Sequence, residues 1–419
     1  GPNCLAFRKS FDFDNYRTDP RGLTGSEIGF IRIAQCLKDL GHHVLLFTSA
    51  EQHSFDGMAV LPLAKLDPGV QFDAAISINE PDTLRNANAK VKVCEFWLNE
   101  FSFCRPGFEE HVDLFVSPSQ GHLEQVMTNE SWRKVGVNSE TPLGGARYEP
   151  DPSKWTVNHL GCDPERYAEF ICLRCNNTSK ELGPFLTCCH RCDSGHYEIR
   201  SKVPGRVVYC SSPDRGLHLL LQEWPKIKRA VPHAHLRIFY RLQPWIDGFK
   251  TVGYHPPIEM LRSRALYIEE ALRRMSGPEW GIEVLDSVSR EQIELEMAQA
   301  EVLAYPCSTV SWSEGFSCTI LEACAAKACP VITGCDGLAS VYGGVLPMYR
   351  VDAIDVWRNR VIDALRDSDF RDEVNERAHA FASKLTWRVH TEKLMSEIRA
   401  RLPAIGWTGC IQPIAHHPV

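Results

Sequence analysis

Two carboxylates eight positions apart, Glu314 and Glu322, lie in residues 311–334, S-W-S-E-G-F-S-C-T-I-L-E-A-C-A-A-K-A-C-P-V-I-T-G. The stretch predicts a polar loop, a helix and a strand over residues 330–333, with an earlier strand over 302–305 leading into it. Residues 320–328 are apolar on nearly every face, apart from Lys327 and Glu322. A helix apolar almost all round is buried, and a buried carboxylate is costly unless something pairs with it. The helix opens on Gly315-Phe316-Ser317, where free backbone N–H groups and the positive dipole end suit a phosphate. Taken alone, Glu322 also fits a buried acid salt-bridged to an arginine.

A phosphate at the helix start, with hydroxyls on two acids, is the binding chemistry of a nucleotide sugar. The segment resembles the E-x7-E element of retaining glycosyltransferases with the GT-B fold, particularly family 4. The resemblance implies that Glu322 binds the ribose hydroxyls of the donor. It puts Glu314, with Gly315, Phe316 and Ser317, at the sugar and its phosphates.

Residues 206–224 read strand, loop, helix, and the loop S-S-P-D-R-G-L resembles the first loop of that family's second domain, which carries a basic residue for the diphosphate. Arg215 falls in that place. A guanidinium holds two phosphate oxygens and stabilises charge on the departing nucleotide. The hydroxyls of Ser211 and Ser212 are further phosphate partners, while no second basic residue stands within the loop.

In the first half, Gly22 and Gly25 bracket a loop, Ser26-Glu27 can cap, residues 28–40 have helical apolar spacing, and residues 44–47 form a strand. This resembles the family's N-terminal glycine loop and makes Gly25 a donor-phosphate candidate. Strands follow over 72–78, 91–98 and 112–117. Trp97-Leu98-Asn99-Glu100 stands where related enzymes often carry His-Asp, so the resemblance gives Asn99 the position of a catalytic group beside Glu314 and Arg215. Asparagine cannot act as a base. His122, nearby in sequence, reads as structural.

A Cys-rich interruption occupies residues 171–196. Cys172/Cys175 and Cys189/Cys192 are two C-x2-C knuckles separated by 13 residues, a spacing that suits tetrahedral, structural zinc. Cys188, His190 or His196 are alternative ligands. The remaining cysteines, among 17 in all, sit largely in apolar elements and read as buried thiols of a reducing, cytoplasmic compartment.

The 419 residues suit two domains of ordinary size, and 44% hydrophobic with 24% charged residues is a globular composition. A net charge of −7 gives no general affinity for polyanions. No run reaches the length of a membrane span, no signal peptide is visible, and Gly1-Pro2 reads as a protease-cleavage scar.

The expected architecture is α/β: two Rossmann-like domains facing across a cleft, with a small zinc-binding insertion. The expected divisions are an acceptor domain over 1–168, the insertion over 169–204, a nucleotide-sugar domain over 205–384, and a helix crossing back to the first domain, with a tail, over 385–419. The expected activity is retaining transfer from a nucleoside diphosphate sugar, UDP-sugar over GDP-sugar, to an acceptor hydroxyl, without a catalytic metal. A saccharide or glycolipid is the default acceptor, and a hydroxymethylated base in DNA the less favoured one. The rival readings are an epimerase of the same fold and a non-catalytic core that binds nucleotide sugar or nucleic acid through its zinc ribbon.

Overall fold

A computed structural model describes residues 3–7, 12–137, 145–168, 170–172, 197–253 and 256–402. Its strands form two large sheets. The first runs in the order Trp155–Val157, Leu114–Ser117, Asn88–Glu95, Gln71–Ile78, Asn3–Ala6, Val44–Thr48, Met58–Pro62 and His53–Phe55. Every pairing in it is parallel except the last, a hairpin. Apolar runs such as Ala74-Ala75-Ile76 are wholly buried, as parallel strands covered on both faces must be.

Sequence reading missed the strand at the centre of this sheet. Asn3 pairs with Val44 on one side and Ala74 on the other. Four residues are too few to show a period, and only their two neighbours identify them as a strand.

The second sheet has the order Ile282–Val284, His235–Ile238, Arg206–Tyr209, Val302–Tyr305, Cys329–Thr333 and Met348–Tyr349, all parallel. Helices α1 (Gly25–Asp39) and α2 (Gln120–Thr128) belong to the first sheet's crossovers. Those of the second are α3 (Leu217–Ala230), α4 (Leu242–Thr251), α5 (Pro256–Arg274), α6 (Arg290–Gln299), α7 (Cys318–Ala325) and α8 (Leu338–Tyr342), while α9 (Ile354–Arg366) and α10 (Ser368–Ala382) follow its last strand.

Helix α11 (Trp387–Arg401) starts at Thr386, whose hydroxyl accepts from Val389 N at 3.1 Å, and packs on α1. Its His390 reaches Glu95 of the first sheet, Nε2 to Oε1 3.2 Å.

Loops at the carboxyl ends of the two sheets meet one another, the place where open α/β sheets bind ligands. Asn99 Nδ2 donates to Ser313 O at 3.3 Å, Ser119 Oγ to Gly315 O at 2.5 Å, and Gly121 N to Ser340 Oγ at 3.1 Å.

Candidate functional site

The strand Val302–Tyr305 delivers its chain into a polar loop that ends at Ser317, the N-cap of α7. Ser317 holds φ at 48°, an uncommon conformation for a non-glycine residue, and its Oγ accepts from Ile320 N at 3.4 Å. The bend leaves Glu314 beneath the helix start, only 4% exposed. Glu314 Oε2 accepts from Arg215 Nη1 at 2.7 Å and from the Tyr305 hydroxyl at 2.5 Å. Burial raises the Glu314 pKa, and Arg215 and Tyr305 offset only part of that rise.

The loop is pinned from behind by Asp336, whose Oδ2 accepts from Ser313 N at 2.8 Å and Glu314 N at 2.9 Å. The amides of Gly315 and Phe316 donate to no protein group among the described residues. They remain available at the opening of α7, over which Asn99 and Ser119 arrive from the first sheet.

Arg215 follows the strand Arg206–Tyr209. Gly216, with φ at 106°, lies so close to Pro306 that a Cβ would sit 1.9 Å from its carbonyl oxygen, so only glycine lets this loop press against the next. Ser211 Oγ lies 3.1 Å from the Tyr305 hydroxyl, and Ser212 Oγ donates to Asp214. Arg215 Nη2 also reaches Ser313 O at 3.3 Å, while its buried Nε has no partner among the described residues.

A second arginine reaches this loop from α5. Arg264 Nη1 donates to Asp214 O at 2.6 Å and to Ser308 O. Some fifty residues separate it from the loop, so no local motif could reveal it.

Glu322 is not in this cluster. It is buried in α7 and accepts from Arg290 Nη2 at 2.6 Å; that same nitrogen reaches the Tyr167 hydroxyl at 2.5 Å. Arg290 Nε donates to Glu294 at 3.2 Å, and Glu294 accepts in turn from Arg17 Nη2 at 2.9 Å. The salt-bridged acid that the sequence also allowed is therefore the observed state.

Arg290 also lines a cavity of about 580 Å³ with Gly22, Thr24, Arg241, Asp286 and Val288. Next to Thr24, Gly25 opens α1 with nothing among the described residues within 4 Å of where a Cβ would stand. The ring of Phe316 packs between His159 and Tyr342, with centroids at 5.7 and 6.0 Å.

His122 is structural. Its Nε2 lies 2.8 Å from Leu98 O and its Nδ1 2.8 Å from Ser117 Oγ. Burial pushes its pKa down to about 4, so the ring is neutral at physiological pH.

Cys172 is buried at the end of Phe170–Cys172, which pairs antiparallel with Tyr197–Ile199. Cys175, Cys188, Cys189, Cys192, His190 and His196 lie outside the described residues. Among the described residues no group of three or more His, Cys, Asp or Glu is arranged to hold a metal ion, and no described helix is long and apolar enough to cross a membrane.

No family model and no curated protein sequence matches the chain. Solved structures do. A glycosyltransferase from Rickettsia africae ESF-5 is 13% identical with a TM-score of 0.61, the match covering 96% of this chain and 99% of that one. Trehalose-6-phosphate synthase OtsA is 10% identical with a TM-score of 0.62, covering 95% and 99%. An E. coli trehalose-6-phosphate structure bound with UDP-2-fluoro glucose is 10% identical with a TM-score of 0.59, covering 95% and 99%. The chain has the α/β, parallel-sheet GT-B fold of these glycosyltransferases.

Proposed function

We propose that the chain is a glycosyltransferase that moves a sugar from a nucleoside diphosphate sugar, UDP-sugar over GDP-sugar, to an acceptor hydroxyl with retention at the anomeric carbon. The observation that carries this reading is the Arg215–Glu314–Tyr305 cluster beneath the free amides of Gly315 and Phe316. Preference for UDP rests on the E. coli relative in fold, which was solved with UDP-2-fluoro glucose.

In the proposed reaction the anomeric C–O bond to the diphosphate breaks and its electron pair leaves with the phosphate oxygen. Arg215, with Ser211, Ser212 and the Gly315 and Phe316 amides, stabilises the charge that develops there. That set needs no metal at the diphosphate. Asn99 cannot take a proton and His122 is neutral but committed at both nitrogens. The acceptor proton is therefore assigned to the departing phosphate oxygen, on the face from which the acceptor attacks, which gives retention.

Glu322 and Gly25 take the ribose and the phosphates. The acceptor lies on the first-sheet side, over residues 1–168, and is a saccharide or glycolipid in preference to a hydroxymethylated DNA base. The donor half is 205–384, with 385–419 returning to the first.

A structural zinc on Cys172, Cys175, Cys189 and Cys192 belongs to the same proposal. Its support is the C-x2-C spacing, together with the antiparallel pair that brings the two ends of the 169–204 insertion side by side.

A thermal-shift panel of UDP, GDP, ADP and TDP with their sugars tests the donor site, because a ligand of the native state raises the midpoint. One nucleotide stabilising wild type but not Glu322→Ala is the expected outcome, followed by transfer of labelled sugar. The Glu322–Arg290 pair favours a second reading, a non-catalytic core whose ribose acid is occupied. Absence of donor turnover with every acceptor class, despite nucleotide binding, would select it.

A further inference from the structure

A second cavity of about 580 Å³ lies at the opposite end of α7, away from Glu314. It is lined by four cations, Arg200, Lys202, Lys327 and Arg371, together with His379, against two acids, Glu165 and Asp372; behind them Glu301 Oε1 pairs with Arg371 Nη2 at 3.3 Å, and Lys202 Nζ already donates to Ala300 O at 2.7 Å. Asn375 lines it too; this residue is 94% buried and its Oδ1 has no partner among the described residues.

The helix end needs few of these cations. Ala328 N closes on Ala323 O at 2.9 Å and Lys327 N on Cys324 O at 3.3 Å, the two bonds of a Schellman cap. Ala325 O lies 3.0 Å from His379 Nδ1, and Ala326 O accepts from Lys202 Nζ at 2.8 Å. All four terminal carbonyls are satisfied without the Lys327 side chain. Yet Lys327 holds φ at 52° at the cap position where glycine is favoured, and its side chain is exposed. Residues kept in such conformations against their preference cluster at functional sites.

The geometry points to a binding site for the phosphate monoester of a small polar molecule, held by Lys327, Arg371 and Lys202, with its hydroxyls donating to Asn375 Oδ1. Burial already pushes the Lys202 ammonium down to about 7, and an arriving anion would hold its proton in place. A hydrogen-bonded chain links the site to the middle of α7. Tyr167 lines this cavity and its hydroxyl takes the Arg290 nitrogen that pairs with Glu322. This inference does not depend on the donor reading.

The test titrates inorganic phosphate and a hexose 6-phosphate against wild type, Lys327→Gly and Arg215→Gln, reading the thermal midpoint. Glycine relieves the positive φ, so Lys327→Gly should melt above wild type without ligand, which shows that its fold is intact. A saturable rise is expected in wild type and in Arg215→Gln, with the hexose 6-phosphate binding tighter than phosphate. In Lys327→Gly the affinity should fall about tenfold, the loss of one charge-assisted contact. A rise lost in Arg215→Gln but kept in Lys327→Gly would move the anion to the Arg215 loop and overturn the proposal. Equal affinity for the two anions, or no rise in wild type, overturns it as well.

Discussion

Arg290 Nη2 donates to Glu322 Oε1 at 2.6 Å while the Arg290 Nε holds Glu294 at 3.2 Å, so one guanidinium neutralises two buried acids on different helices. Both partners of the Arg290–Glu322 pair are largely buried. Breaking such a pair costs about 3–5 kcal/mol when the remaining charge is stranded. Glu294 still serves Arg290 after Glu322→Ala, so a smaller loss of about 2 kcal/mol is expected in urea denaturation. Arg290→Ala strands Glu322 and leaves Glu294 with Arg17 alone, so it should cost more than Glu322→Ala. The reverse order would show that the pair is not a unit.

Arg215 tests the chemistry more directly. Arg215→Lys keeps a positive charge for Glu314 but loses the fork that reaches Ser313 O as well. Steady-state kinetics with the nucleotide sugar identified by thermal shift should show kcat reduced by about 10²–10³, the usual loss for one group that stabilises developing charge. KM should move far less. A change confined to KM would make Arg215 a ground-state binding residue only.

The parts of this site that were legible in sequence are those whose meaning is local. Glu314, the helix opening and Arg215 each sit in a strand–loop–helix unit whose apolar run and turn residues mark where the loop must emerge. The parts that were missed are held by distance. Asp336 reaches back 22 residues to Glu314 N, Arg264 lies 50 residues from Asp214, and Arg290 lies 32 from Glu322. Only the stacking of the second sheet brings them together. The strand Asn3–Ala6 was illegible for a different reason: its four residues carry no period, and burial between two parallel neighbours is what makes them a strand.

His390 gives a pH signature to the α11 contact. Burial works against its charged form, but Glu95 beside Nε2 and the His159 carbonyl at 2.8 Å from Nδ1 outweigh it, and the pKa is raised above 6.5. A histidine whose folded pKa is raised contributes stability that is complete below the unfolded value. That contribution is lost as pH rises through the folded value. Wild type should therefore lose thermal stability from about pH 6.5 upward, with a steeper slope than His390→Gln. Parallel slopes for the two proteins would mean that the pair does not titrate in this window.

Two glycines around the start of α1 separate a packing role from a ligand role. Gly22 has φ at 69°, and a Cβ there would meet Val288 O at 2.9 Å, where the loop from the first sheet touches the loop of the second. Gly22→Ala should therefore cost about 1–2 kcal/mol for the left-handed conformation alone. It should also weaken nucleotide binding, by moving both walls of the cavity that Gly22 and Val288 line. Gly25 has no neighbour within 4 Å of its would-be Cβ and lies at the first position of the helix. Gly25→Ala leaves the fold unstrained and adds helix propensity, so its melting temperature should equal or exceed that of wild type. If the nucleotide phosphates approach the α1 amides, the same methyl group stands in their path. Isothermal titration should then show about tenfold weaker binding with undiminished stability, a factor equivalent to 1.4 kcal/mol. Unchanged affinity in Gly25→Ala would place the phosphates elsewhere and leave α1 with the acceptor alone.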